Sequence, residues 1–220
     1  QGRAYRWDAT QGMIDLGDLP GHADSATASR ASADGSVVVG WATSPADSTG
    51  HVPTEAFRWV AGEGMHGLSF LGGSDFSLAR DVSGDGSVVV GESLSANGLE
   101  AFRWTQATGM LGIGYLGGEE ASSSALGVSS NGDVIVGASR SPSSGTGVEA
   151  FRWTQADGMT PLGFLAGGIT RSGARAVSAD GSVVVGDAGL PTANEAFRWT
   201  QADGLVGLGQ LGGGNNSVAL

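Results

Sequence analysis

The 220-residue sequence has no cysteine and no lysine. Without cysteine there is no disulfide, no thiolate nucleophile and no Cys-ligated zinc. Without lysine there is no P-loop cation and no Schiff base. Positive charge is scarce, with eleven arginines against 22 acidic residues for a net of −11. A field of that sign repels phosphate backbones, so nucleic acid is not an expected partner. Only three histidines occur, His22, His51 and His66, with no H-E-x-x-H and no G-x-S-x-G. No apolar run approaches the roughly 20 residues of a membrane-spanning helix, so insertion into a bilayer is not expected.

Glycine, in contrast, is abundant, at 40 residues, well above the usual ~7%. Apolar residues make up 40% of the chain, too many for disorder, so the glycines imply many tight turns. Long helices are disfavoured, because an interior glycine costs about 1 kcal/mol relative to alanine.

One phrase dominates: "EAFRWVAGEGM" at Glu55–Met65, "EAFRWTQATGM" at Glu100–Met110, "EAFRWTQADGM" at Glu149–Met159 and "EAFRWTQADGL" at Glu195–Leu205, with a rougher "RAYRWDATQGM" at Arg3–Met13. Its tryptophans, Trp7, Trp59, Trp104, Trp153 and Trp199, recur at intervals of 52, 45, 49 and 46. A second phrase ("SADGSVVVG", "SGDGSVVVG", "SSNGDVIVG", "SADGSVVVG") closes on Gly40, Gly91, Gly137 and Gly186, at intervals of 51, 46 and 49. Two independent markers keep one period of about 48 residues, within the range of propeller repeats.

Each unit reads as four short strands. The first resembles "SLARDVS" (Ser77–Ser83) and ends at a "DG" or "NG" step, the strongest short hairpin signal. The second, "SVVVGES" (Ser87–Ser93), is almost continuously apolar, as expected of a strand buried on both faces. The third, "EAFRWT", alternates with period two. A turn such as "QADG" leads to the fourth, "GMLGIG" (Gly109–Gly114). Four antiparallel strands per unit, repeated about an axis, describe an all-β β-propeller of four-stranded antiparallel blades. Hairpin turns argue against the competing β-solenoid, whose strands run parallel. The strand glycines are expected to permit close approach near a crowded axis.

The combination of "EAFRW", "GM..LG.LGG" and "VSADGSVVVG" resembles the HAF-type extracellular repeat family, over nearly the whole chain. The resemblance implies a bacterial secreted or cell-surface protein and carries no established reaction.

Residues 1–220 then form one domain. A partial blade spans 1–21, four blades span approximately 25–72, 75–118, 122–167 and 172–213, and a partial first strand spans 215–220. Alignment of the ends places Leu220 opposite Arg80 and Gln1 opposite Gly98, leaving a counterpart of Asp81–Asn97 unsupplied. The simplest count is five blades, the closing one shared by the termini and incomplete. Further repeats of a longer protein, imperfect closure, or a strand donated by a neighbouring molecule would each account for the gap.

The "DG" and "QADG" turns fall on one face and hardly vary between copies. The connections at Ala42–Thr54, Leu94–Leu99, Arg140–Val148 and Ala188–Asn194, with those around His22–Ala26, Ser74–Phe76, Glu119–Ser123 and Ile169–Ser172, fall on the other and differ. Recognition belongs more naturally on such loops. Trp41, His51, Glu92, Arg140 and Asp187 are the candidate ligand-binding residues there. Trp41, Glu92, Ala138 and Asp187 occupy one variable position, just after the second-strand glycine. Trp41 could stack a sugar or pack between blades, and Glu92 and Asp187 could hold a cation weakly or remain solvated. No cofactor or resident metal is expected. Recurrent Arg58, Arg103, Arg152 and Arg198, with Glu55, Glu100, Glu149 and Glu195, are expected to form inter-strand or inter-blade ion pairs, since catalysis would need one special copy. "GIGYLG" (Gly112–Gly117) and "GLGQLG" (Gly207–Gly212) fit a dinucleotide pattern but lack the helix it requires. The "S-x-D-G-S" turns lack the spacing and closing aromatic of the sialidase Asp-box. The function expected is that of a non-enzymatic extracellular structural or adhesive protein, acting by self-association or through a protein segment that completes the terminal blade. A glycan-binding propeller is the alternative, and a hydrolase with one site over the axis is the third reading.

Overall fold

The computed structural model describes residues 2–21, 25–46, 50–72, 75–117, 121–210 and 216–220. Its smallest recurring unit is the first hairpin of each repeat. Ser32 Oγ donates to Asp34 Oδ1 (2.7 Å) and accepts from the Val37 amide (3.0 Å), while Asp34 also accepts from the Ser36 amide (2.9 Å). Gly35 supplies the positive φ the turn demands, 69°. The same serine-to-Asx bond recurs at Ser83–Asp85, Ser129–Asn131 and Ser178–Asp180.

These hairpins seed four antiparallel sheets in which strand order follows the chain. The outermost two strands of the closing blade come first, β1 (Tyr5–Asp8) and β2 (Gly12–Asp15). The second blade is β3 (Ala26–Ala31), β4 (Val37–Thr43), β5 (Thr54–Val60) and β6 (Gly64–Gly67). The third is β7 (Ser77–Val82), β8 (Val88–Ser95), β9 (Gly98–Thr105) and β10 (Gly109–Gly112). The fourth is β11 (Ser123–Val128), β12 (Val134–Ser139), β13 (Glu149–Thr154) and β14 (Gly158–Gly163). The fifth is β15 (Ser172–Val177), β16 (Val183–Leu190), β17 (Ala193–Thr200) and β18 (Gly204–Gly207).

A lone blade has two apolar faces, so each must be covered by its neighbours. Phe57, Phe102, Phe151 and Phe197 are fully buried, and each core cluster draws on two consecutive sheets. Val37, Val39 and Ala56 of one blade, for example, meet Ala79, Val89 and Phe102 of the next. The first strands pack on one another in order, β3 on β7, β7 on β11 and β11 on β15; they are therefore innermost and line the axis.

Two hydrogen-bond systems tie blade to blade. On the face of the first hairpins, backbone amides link successive turns: Ala33 to the Gly84 carbonyl (2.9 Å), Gly84 to Ser130 (2.9 Å) and Ser130 to Ala179 (3.1 Å). At the other end, a serine clamps four of the five junctions, buried at three of them. Ser77 Oγ accepts from the Ala56 amide (2.9 Å) and donates to the Ser69 carbonyl (2.8 Å). Ser123, Ser172 and Ser217 repeat the clamp on Ala101, Ala150 and Ala196.

The Ser217 clamp fixes the role of the C-terminal residues. Asn216 makes a parallel bridge to Asn194, as Phe76 does to Thr54. Residues 216–220 thus take the first-strand place of the closing blade, and β1 and β2 take its third and fourth. The fold is an all-β, five-bladed propeller whose closing blade is shared by the two ends, with no second strand in that blade among the described residues.

Candidate functional site

Every complete blade carries a β-bulge in its first strand. Pairing skips one residue between Ala28 and Arg30, Ala79 and Asp81, Ala125 and Gly127, and Ala174 and Ala176. The extra residues are Ser29, Arg80, Leu126 and Arg175, on the strands that line the axis. A bulge re-aims a side chain, and the second-strand glycine opposite makes room for it. A Cβ on Gly91 would overlap the Leu78 carbonyl oxygen and press on the Phe102 ring, and Gly40, Gly137 and Gly186 stand in the same relation to their neighbours. The close approach expected of these glycines is thus made to the bulged strand and to the core phenylalanine.

The bulge residue meets the residue that follows this glycine. Arg80 Nη2 donates to Glu92 Oε1. Arg175 Nε donates to Asp187 Oδ1 (2.8 Å), and Arg171 Nη2 lies 3.8 Å from Asp187 Oδ2. Arg171 Nη1 also donates to Asn194 Oδ1 (2.6 Å). Glu92 and Asp187 are only 5% and 3% exposed, whereas the three arginines are about two-fifths exposed. The carboxylates are the buried anchors and the guanidinium groups face outward. Together they line a cavity of about 300 Å³ whose wall between the charged blades is Leu126, Ala138 and Val148. Val148 and Arg171 belong to the variable connections, so the cavity lies on their side of the ring.

The other predicted residues lie apart. Trp41, partly buried, sits in β4 between Thr27 and Ala56. His51 Nε2 lies 2.9 Å from Asp75 on an exposed loop. The Arg140 amide donates to the Ser122 carbonyl (2.8 Å). Neither His51 nor Arg140 lines the arginine cavity. Within the variable connections, residues 22–24, 47–49, 73–74 and 118–120, including His22, Ser74 and Glu119, lie outside the described residues. Among the described residues no group of three acidic or histidine side chains could hold a metal ion; Glu92 and Asp187, considered as cation ligands from sequence, are engaged by arginines instead.

The recurrent Glu and Arg of "EAFRW" behave differently from expectation. Among the described residues they make no inter-strand or inter-blade ion pair with each other; the ion pairs of these arginines are to aspartates, Asp157 for Arg152 and Asp203 for Arg198. The glutamate staples its own blade: Glu55 accepts from the Ser69 amide (2.9 Å) and Ser44 Oγ (2.7 Å), and Glu195 from the Gly209 amide (2.8 Å). The arginine reaches forward. Arg6 and Arg58 donate to the carbonyls of Gly35 and Gly86 in the next hairpin (3.0 and 3.2 Å). Both also lie over the next tryptophan, Trp59 at 5.4 Å and Trp104 at 5.8 Å. Arg198 pairs within its own blade with Asp203 (3.1 Å).

Titration follows the same structural logic. The Ser36 amide and the Ser32 hydroxyl hold Asp34 at about 2, and the Ser178 hydroxyl and Ser182 amide do the same for Asp180. Burial pushes Asp81 upward, although it accepts from the Val128 amide of the next blade (2.9 Å).

One surface interrupts the pattern. Tyr5 and Trp7 of β1 are 56% and 67% exposed, and Met13 of β2 is 70% exposed. The residues aligned with Tyr5 in the other blades are the fully buried phenylalanines, and Trp59 and Trp153 are 8% exposed. The exposed edge of β1 is where the second strand of the closing blade would pair.

No family model matches the chain, and no curated protein does. Solved structures do. Puromycin hydrolase superimposes with a TM-score of 0.60 at 16% identity, over 94% of this chain and 35% of its own. An S511A mutant of puromycin hydrolase complexed with PGG gives 0.54 at 17%, over 90% and 30%. TolB from Acinetobacter baumannii gives 0.57 at 15%, over 91% and 46%. What is shared is the fold. The chain spans less than half the length of each of these structures.

Proposed function

We propose that this propeller is a non-catalytic structural and adhesive module of a secreted or surface-exposed bacterial protein, which joins polypeptide to polypeptide by completing its unfinished blade. The observation that carries the reading is the exposure of Tyr5 and Trp7, at positions where the complete blades hold fully buried phenylalanines and buried or partly buried tryptophans. The occupant is a strand of the repeat's own second-strand chemistry, x-S-V-V-V-G. In the complete blades that strand sets glycine opposite the phenylalanine and valine or isoleucine opposite the tryptophan. Added to β1, it would set glycine opposite Tyr5 and valine opposite Trp7. The HAF-type resemblance and the acidic, cysteine-free composition support a place outside the cell, which protease shaving of intact cells would test. The paired Glu92 and Asp187 and the scattered histidines favour binding over hydrolysis.

A synthetic peptide with the sequence of Asp81–Asn97 tests the blade. Its addition is expected to shift Trp7 emission to the blue, read in a variant whose other five tryptophans are Phe, while a scrambled peptide leaves the emission unchanged. No shift at any concentration would overturn the proposal. Sedimentation across a concentration series then separates donation by a second copy, which gives growing assemblies, from donation by another segment, which leaves monomers.

A further inference from the structure

The arginine cavity is independent of the unfinished blade. Its charges are a choice made in particular blades, not a need of the fold. The bulge position and the post-glycine position carry Arg80 with Glu92 and Arg175 with Asp187, but Ser29 with Trp41 and Leu126 with Ala138. Where the bulge residue is arginine its partner is acidic, and blades without the pair form the same bulge. Desolvating such pairs gains little stability over apolar packing, so their retention in two blades on either side of one wall needs another reason.

The geometry supplies one. Three guanidinium groups converge on one cavity in a chain of net charge −11. Arg80 and Arg175 are braced from behind by the buried carboxylates of Glu92 and Asp187, and Arg171 is held by its bond to Asn194 Oδ1 with Asp187 at 3.8 Å. Among the described residues, Nη1 and Nη2 of Arg175 have no hydrogen-bond partner, so a donor fork is left facing the space. Set against Glu92 and Asp187, the three cations leave one net positive charge. That balance suits a monoanion and disfavours a phosphate monoester carrying about −1.5 to −2. A guanidinium fork matches the planar carboxylate best, and Leu126, Ala138 and Val148 offer the anion's body an apolar wall.

We infer that the cavity bounded by Arg80, Arg171, Arg175 and Leu126 is a binding site for a monocarboxylate with a small apolar body, such as a short branched acid or the α-carboxyl end of a peptide. Calorimetric titration of the whole chain with N-acetyl-leucine, its amide, isovalerate and inorganic phosphate tests this. N-acetyl-leucine is expected to bind at least about tenfold more tightly than its amide, a difference of about 1.4 kcal/mol. Arg175→Lys, which keeps the charge beside Asp187 but loses the fork, is expected to weaken binding about fivefold or more, roughly 1 kcal/mol, with the melting temperature retained. Isovalerate binding as tightly as N-acetyl-leucine marks the free acid as the ligand type; weaker isovalerate marks the peptide end. The inference is overturned if no carboxylate binds up to about 20 mM, if the amide or phosphate binds as well as the acid, or if Arg175→Lys leaves affinity unchanged in a folded protein.

Discussion

Replacing Ser123 by alanine removes one atom from the junction between the third and fourth blades. That atom accepts from the Ala101 amide at 2.9 Å and donates to the Gly114 carbonyl at 2.7 Å. Ser123 and Ala101 are buried, so water cannot take over freely. An orphaned buried donor costs about 1–3 kcal/mol. For a domain of this size each kcal/mol lowers the melting temperature by about 2–4 °C, so Ser123→Ala is expected to lose roughly 2–12 °C. The molecule contains the reciprocal experiment. At the junction of the closing and second blades the clamp position is Ala26, whose amide makes the same backbone bond, to Gly2 (3.0 Å), that Ser172 makes to Val148 (2.9 Å). Ala26→Ser would supply the missing hydroxyl to the buried Ala4 and is expected to stabilise by about 1 kcal/mol. Thermal and urea unfolding followed by tryptophan emission and circular dichroism would measure both. If Ser123→Ala changes stability by less than about 0.5 kcal/mol, as an ordinary surface substitution does, or if Ala26→Ser destabilises, the clamp is not what joins the blades.

Three further outcomes follow from the same structure. Gly91→Ala drives a methyl group into the Leu78 carbonyl, so it is expected to abolish soluble folded protein, whereas Gly109→Ala, with open space around it but a φ of 67°, costs only the left-handed strain, about 1–2 kcal/mol; expression and circular dichroism distinguish them. Trp153→Ala is expected to cost about 3–5 kcal/mol and Trp7→Ala under about 1 kcal/mol, by urea denaturation, because equal repeat positions differ in burial. In acid, Asp34 and Asp180 carry folded values of about 2 against 3.8, so their stabilisation is complete above about pH 4 and is lost as pH falls through about 2. Asn at both positions should flatten that limb of the urea midpoint against pH, and an unchanged limb would contradict the assignment.

Much of this was legible in the sequence because the repeat is a physical signal as well as a textual one. "DG" steps demand positive φ, valine runs demand burial, and the tryptophan beat counts blades. The bulges were not legible. Nothing in the composition of "SLAR" or "SGAR" announces an extra residue; the glycine across the sheet makes the bulge possible, and that pairing exists only once register is known. For this reason Glu92 and Asp187 could be singled out by their variability while Arg80 and Arg175 went unnoticed. A usable signal was present, since acidic residues follow the glycine only in those repeats whose first strand carries arginine three residues beyond its opening serine. The expected inter-strand or inter-blade pairing of the recurrent Glu and Arg is absent among the described residues, because the glutamates are engaged by amides and hydroxyls of their own blade and Arg6 and Arg58 by the next hairpin and tryptophan. The forward reach of Arg58 to Gly86 and Trp104 depends on blade stacking, which no local window contains.

The claim on which the rest depends is that the two ends of the chain belong to one blade. In a complete blade, first and third strands are separated by one strand, so the backbones of Tyr5 and Val218 should lie about 10 Å apart, twice the usual 4.7–4.9 Å spacing. Both residues are about half exposed and the chain has no cysteine, so spin labels can be placed there through Tyr5→Cys and Val218→Cys without interference. Strong dipolar broadening of the doubly labelled protein, absent from each single label, is the predicted result. An unbroadened spectrum, placing the labels beyond about 25 Å or five strand spacings, would mean that the blades do not close on a common axis.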